Sequence, residues 1–335
     1  MTFEQQGEIF LAAAKKRNRN PVAEATLSSY ERAIRLHLNP VIGKFPLSTI
    51  YSPQLKLVVD SMLKKSLAPS TIVEKITIAK MVIGSAVDPR TGEALYPRTW
   101  KAEIIDLPAL DPDEQNTPVF SREILTGLAA YHNPRMRMLF TLDGAVGARI
   151  AELVGIEIDK HISPDFRTIT IEQQGKGSKI IKRVKNRASR REVDIHPDIA
   201  AVLKAFVGDR KSGFLFATSK NTPISSRCAI YHLHCALKAL GYSNQMAKSK
   251  LAGTHAFRRS RDTFLRNETS CPEGIYKSWL GHSMNKGDMS ERYDKIKRDR
   301  KKRLEWAELC GYGFDLPQSS VVLLYREEGE VAAVA

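Results

Sequence analysis

Thr254-His255-Ala256-Phe257-Arg258-Arg259, then Trp279-Leu280-Gly281-His282-Ser283, then Tyr293: these residues decide how the chain is read. His255 and Arg258 are spaced i, i+3, so a helix turns both towards one site. The Arg258 guanidinium can grip a phosphate through two parallel N–H groups, and the His255 imidazole can move a proton near neutral pH. Gly281 is expected to end a short helix and leave His282 projecting from it. Tyr293 has no evident core role, and a phenol attacks phosphorus at neutral pH only where cations hold the phosphate. Together they predict a phosphoryl-transfer site without a metal.

The 335-residue chain is long enough for two domains. Its net charge of +15 favours a polyanionic partner such as nucleic acid. A ribosomal or membrane-surface protein shares that charge, so charge alone selects no activity. No apolar run reaches the length of a membrane span, and Met1-Thr2-Phe3-Glu4-Gln5 lacks the basic and apolar regions of a secretory leader. The expected location is cytoplasmic, associated with the nucleoid. Cys228, Cys235, Cys271 and Cys310 show no paired spacing, which argues against a disulfide framework and a zinc ribbon. His232, His234 and Cys235 fall in a helical pattern with Leu233, Leu237 and Leu240 on its apolar side, a packing pattern more than a metal site.

Residues 1–108 read as helices separated by stop signals. Thr2 and Gln5 form a capping box opening a run to Lys15. A second run covers about Leu27 to Leu38, with Tyr30, Ile34 and Leu38 on one face, and Asn39-Pro40 ends it. Ser52-Pro53 opens a third, through Leu55, Val59 and Met62. Ser70 precedes a fourth, carrying Ile72, Ile76, Ala79 and Ile83. Lys15, Lys16, Arg17, Arg19, Arg32 and Arg35 are either phosphate contacts or a solvated face.

Leu107 to Pro118 is rich in proline and acidic or amide residues, which marks a domain boundary with a linker at 109–118. Ser121 caps the next helix, and another covers roughly Pro134 to Ala145. Gly144-Ala145-Val146-Gly147-Ala148-Arg149 then lets the backbone turn tightly before a helix bearing Ile150, Leu153 and Val154. Arg149 at a helix start opposes the helix dipole unless an anion lies close by. Arg167 to Glu172 alternates with β-branched residues and predicts a strand. Gly175-Lys176-Gly177-Ser178 is a turn, and Ile180–Val184 and Arg191–Ile195 are further strands. Lys176 to Arg191 holds eight basic residues in sixteen. Lys176, Lys179, Lys182, Arg183, Arg187, Arg190 and Arg191 thus form a solvated loop or a ribbon along a phosphate backbone; Arg259 joins them as a DNA-binding candidate.

The order His-x-x-Arg, Leu-Gly-His, Tyr resembles the tyrosine recombinase (phage integrase) family. Gly147-Ala148-Arg149-Ile150-Ala151-Glu152-Leu153 is similar to its Gly-x-Arg-x-x-Glu-Leu motif. The segment from Lys185 through Ser189-Arg190-Arg191-Glu192-Val193-Asp194-Ile195 is similar to its lysine-bearing hairpin. The resemblance covers nearly all of residues 25–300. It implies a mainly α fold with a small antiparallel β-sheet: a helical, SAM-like core-binding domain at 1–108, a catalytic domain at 119–310, and a tail or docking segment at 311–335. It implies site-specific strand exchange through a 3′-phosphotyrosyl intermediate, with Arg149, Lys185, His255, Arg258, His282 and Tyr293 catalytic and Glu152 supporting them. Lys176 and Lys179 are rivals to Lys185. It further implies no cofactor and no metal, with partners that are double-stranded DNA at paired inverted core sites, a homotetramer on DNA, and an accessory DNA-bending protein. The helical run beginning near Met1 leaves no room for an arm-binding domain, which is expected of a Xer-like or simple integrase. The segment from His282 to Tyr293 is longer than the family's usual spacing.

Two other classes stay open: a relaxase of the type IB topoisomerase kind, acting without site preference, and a non-catalytic DNA-binding descendant.

Overall fold

The capping box expected at Thr2 starts the first helix: Thr2 N donates to Gln5 Oε1 at 2.9 Å, and Gln5 N donates to Thr2 Oγ1 at 3.4 Å. A computed structural model describes residues 1–19, 21–110, 118–182, 190–242, 253–282 and 298–317. The chain divides into two compact units, Met1–Gln115 and Asn116–Ala335.

The first unit contains α1 (Phe3–Lys15), α2 (Glu24–Ala33), α3 (Asn39–Ile42), α4 (Ser52–Lys64), α5 (Pro69–Gly84) and α6 (Ala102–Ile105). Phe3, Leu38, Leu55, Val59, Ile72 and Ile76 are among the residues of its own core. Asn39-Pro40 does not end the second helical run. A π-helical turn over Ile34–Leu38 joins α2 to α3, with Asn39 N donating to Ile34 O. Proline lacks an N–H and crowds the carbonyl four residues back; the wider turn accommodates both, so the helix continues to Ile42. Ser52 begins α4 and uses its hydroxyl to accept from Lys101 N at 3.0 Å. The fourth helix starts at Pro69, one residue ahead of Ser70, because a fixed φ suits a first helical turn. Lys15, Lys16, Arg17, Arg19, Arg32 and Arg35 are all exposed.

The second unit begins with α7 (Arg122–Ala129) and α8 (Pro134–Val146), capped by Ser121 and Asn133. After α9 (Ile150–Leu153) and α10 (Ile158–His161) come β1 (Thr168–Ile171), β2 (Gln174–Lys176), β3 (Lys179–Ile181) and β4 (Arg191–Asp194). These form two antiparallel ladders, β1 with β4 and β2 with β3. Helices α11 (Pro197–Val207), α12 (Ser226–Ala239), α13 (His255–Asn267), α14 (Glu273–Leu280) and α15 (Arg300–Cys310) complete it. Phe140, Phe216, Phe257 and Trp279 are at most 2% exposed in its core.

One expectation is corrected here. Leu240, expected on the apolar side of α12, is 39% exposed. In α15 the buried face is Arg303, Ala307 and Cys310, whereas Leu309 is 75% exposed, because a buried ion pair of Arg303 sets the helix's rotation. Residues 311–317, the start of the stretch expected to be a tail or docking segment, pack onto the unit: Phe314 is 4% exposed and Asp315 accepts from Arg122 at 2.6 Å. Among the described residues no helix is long and apolar enough to cross a membrane. The linker residues 111–117 and the run Val321–Tyr325 lie outside the described residues.

Candidate active site

Two glycine turns build the site. Helix α8 ends at Gly147, whose φ is +60°. A side chain there would meet Arg261 Cβ at 2.9 Å and Leu280 Cδ2 at 3.0 Å, so both the left-handed backbone and the close approach require glycine. The turn delivers Arg149 to the start of α9. Helix α14 ends in the same way at Gly281, φ +65°, which delivers His282.

Arg258, on the first turns of α13, ties these turns together. It is 5% exposed, its Nη1 donates to Gly147 O at 3.1 Å, and its Nη2 donates to Leu280 O. Burial, with Arg149 and Arg191 nearby, lowers its pKa to about 10, so it remains cationic at neutral pH.

Glu152 braces the first arginine. Its Oε2 accepts from Arg149 N at 3.0 Å and its Oε1 from Arg149 Nη1 at 2.7 Å. Arg191 Nη2 adds a bond at 2.9 Å to Oε2. Burial works against this carboxylate; the charge and hydrogen bonds of Arg191 and Arg149 outweigh it and hold Glu152 below its ordinary range.

His255 opens α13 on its exposed side, and His282 is half-buried. Burial pushes both imidazoles down; Arg259, Arg258 and Arg149 add to the shift at His255, and Arg258 and Arg149 add to it at His282. Arg149, Arg258, His255 and His282 are therefore within electrostatic reach of one another, and both histidines are neutral at neutral pH. Two guanidiniums beside two neutral imidazoles suit an oxyanion that gains charge during reaction.

Lys185 and Tyr293 lie outside the described residues, as do Arg183 and Arg187. Lys176 and Lys179 face each other across the β2–β3 ladder, and both are exposed, as is Lys182. That ladder packs on α9: a side chain at Gly175 would meet Val154 Cγ2 at 2.7 Å. Arg190 pairs with Glu172 at 2.7 Å, and Arg259 Nε donates to Pro118 O at 2.9 Å. Arg191 is corrected from a DNA-contact candidate to a buried strut. It is 7% exposed, holds Glu152, and donates through Nε to Trp279 O at 2.5 Å. Tyr276 is 7% exposed and Tyr312 donates to Asp198 Oδ2 at 3.3 Å, so both serve packing. Among the described residues no cluster suited to a metal occurs.

Sequence reading missed Arg261 and Asp143, and it gave Arg191 a surface role in place of the buried one. Arg261 is buried beneath Gly147 and donates to Gly311 O at 2.9 Å. Asp143 is 1% exposed, and among the described residues neither carboxyl oxygen has a hydrogen-bond partner. Burial, with Glu152 nearby, raises its pKa well above the usual carboxylate range. No local pattern distinguishes these three.

No family model and no curated protein matches the sequence. Solved structures do share its fold. The Tn1549 transposon integrase in complex with transposon right end DNA has a TM-score of 0.67 at 18% identity, covering 89% of this chain and 99% of that one. A lambda integrase dimer bound to a COC′ core site has a TM-score of 0.57 at 15% identity, covering 90% and 97%. A lambda integrase tetramer bound to a Holliday junction has a TM-score of 0.53 at 14% identity, covering 86% and 79%. These proteins are tyrosine recombinases, and the mainly α fold expected from the sequence is the one they have.

Proposed function

We propose that this chain, which has the fold of the tyrosine recombinases, is a site-specific DNA recombinase serving integration or excision of a mobile element. The observation that carries this is the single guanidinium of Arg258 bonded to both glycine turns, which gathers Arg149 and His282 around one point. Likeness to integrases solved on DNA supports the substrate.

In the proposed reaction the Tyr293 oxygen bonds to the scissile phosphorus and the bond to the 5′-oxygen breaks. His255 takes the phenolic proton, and Lys185 gives a proton to the departing oxygen. Arg149, Arg258 and His282 hold the non-bridging oxygens as their charge grows. The phosphotyrosyl bond retains the energy of the broken diester, and a free 5′-hydroxyl reverses the step. Residues 1–108 act as the core-binding domain and 119–310 as the catalytic domain. Paired inverted core sites, a tetramer on DNA and an accessory DNA-bending protein belong to the same proposal.

Covalent trapping tests it. The protein is mixed with fragmented DNA from its source genome, stopped with denaturant, and the DNA ends attached to protein are sequenced, with Tyr293→Phe alongside. Adducts at one paired inverted site, lost in the variant while DNA binding persists, are expected. Scattered adducts would favour the relaxase, and adducts persisting in the variant would move the nucleophile. Rescue of Lys185→Ala by a 5′-bridging phosphorothiolate is expected; failure of rescue would turn the assignment to Lys176 or Lys179.

A further inference from the structure

Asp194, the last residue of β4, is 2% exposed and binds three elements with one carboxylate. Its Oδ1 accepts from Thr168 Oγ1 of β1 at 2.8 Å. Its Oδ2 accepts from Trp279 Nε1 of α14 at 3.0 Å and from Arg303 Nε of α15 at 2.6 Å. A buried indole needs an acceptor and a buried guanidinium needs an anion, but neither need requires the same oxygen.

Trp279 is also held through its backbone. Its carbonyl accepts from Arg191, whose other end is on Glu152, which holds Arg149. The next carbonyl, that of Leu280, accepts from Arg258. An unbroken series of hydrogen bonds thus runs from Arg303 through Asp194, Trp279, Arg191 and Glu152 to Arg149. Further ion pairs seat α15 on the same face: Arg300 with Asp165 at 2.7 Å and Glu308 with Arg167 at 2.8 Å.

We propose that Asp194 is a positioning residue that couples the docking of α15 to the turn carrying His282 and to the site arginines. It touches neither DNA nor the reacting atoms. When Arg303 leaves, Asp194 loses its counter-charge, Trp279 loses its fixed acceptor, and the turn three residues on loosens. This rests on the recombinase reading only for its catalytic consequence.

A contiguous network becomes a coupling only when perturbation at one end is felt at the other. Three variants test that: Trp279→Phe, which removes the indole N–H; Arg303→Met; and Arg303→Met with Asp194→Asn, which restores charge balance. The first readout needs no DNA. It is the NMR titration of His282 in the whole protein, identified by its loss in His282→Gln. Burial holds this imidazole down, so its midpoint is expected to rise towards the ordinary histidine value in Trp279→Phe and in the double variant, even where the double variant recovers its melting temperature. An unchanged His282 titration in both would overturn the proposal and leave Asp194 a packing residue. The second readout is single-turnover cleavage. It should stay about tenfold or more slower in the double variant with DNA affinity little changed, as expected for a misplaced group. Cleavage that recovers together with stability would also overturn the coupling. A wild-type protein that forms no adduct counts against the recombinase reading, and the titration still decides the role of Asp194.

Discussion

Arg258 Nη1 donates to the carbonyl of Gly147 at 3.1 Å. An arginine expected only to grip phosphate therefore also commits donors to the backbone of a turn. A guanidinium has five N–H groups, and the contacts to Gly147 and Leu280 leave others to face an anion. Holding the turns and holding the phosphate are tasks of one side chain.

Gly147→Ala is expected to harm the site more than its size suggests. The added methyl meets Arg261 Cβ at 2.9 Å on a backbone with φ of +60°. A strained residue of this kind costs on the order of 1–3 kcal/mol. Displacing the Gly147 carbonyl also releases Arg258. Urea unfolding should show the stability loss, and cleavage should fall more than DNA affinity does.

The two site histidines give the protein an acid-sensitive limb. Their folded pKa values lie below the ordinary 6.5. Below 6.5 the unfolded chain takes up protons that the native site resists. Stability from these residues is therefore fully present above 6.5 and is lost as pH falls through the folded values. Stability measured from pH 8 down to about pH 5 should decline less steeply in His282→Gln than in wild type. Parallel curves would contradict burial of the neutral imidazole.

Asp143 has the opposite sign. Its folded pKa lies well above 3.8, so the native state keeps a proton that the unfolded state has lost. Its contribution worsens as pH rises from 3.8 towards the folded value. Asp143→Leu removes an unpaired buried carboxyl and is expected to stabilise the chain at pH 7 by about 1–3 kcal/mol. The gain should shrink at low pH in thermal melts; a gain independent of pH would mean that packing, not ionisation, causes it.

Arg191 and Lys182 separate a strut from a surface charge. Arg191→Met should cost stability, about 3 kcal/mol or more for a broken buried pair, without lowering the salt dependence of DNA binding. Lys182→Ala should leave stability nearly unchanged and, if Lys182 contacts a phosphate, reduce the log–log salt slope by about 1. Filter-binding titrations across salt concentrations distinguish them.

The parts that sequence made legible are those with local signals. The small residues before Arg149, the i, i+3 spacing of His255 and Arg258, and Gly281 before His282 are visible within a few positions. Arg191 was not legible, because it stands in a run of eight basic residues and its partner Glu152 is 39 positions away. Asp194, Trp279 and Arg303 meet only through tertiary structure, and no periodicity links them. Asn39-Pro40 misled for the reverse reason: a strong local stop signal was overridden by a wider helical turn just before it.

That wider turn at Ile34–Leu38 amounts to one residue more than an α-helix needs. Deleting one residue there would restore the tighter winding and leave α2 in nearly its present rotational phase relative to α3, because the wider turn spends one more residue on about the same rotation. Arg32 would keep its present face relative to Asn39. Single-residue gaps in alignments with relatives should therefore fall at this turn, where the chain can lose a residue and still present the charged face of α2 in the same direction.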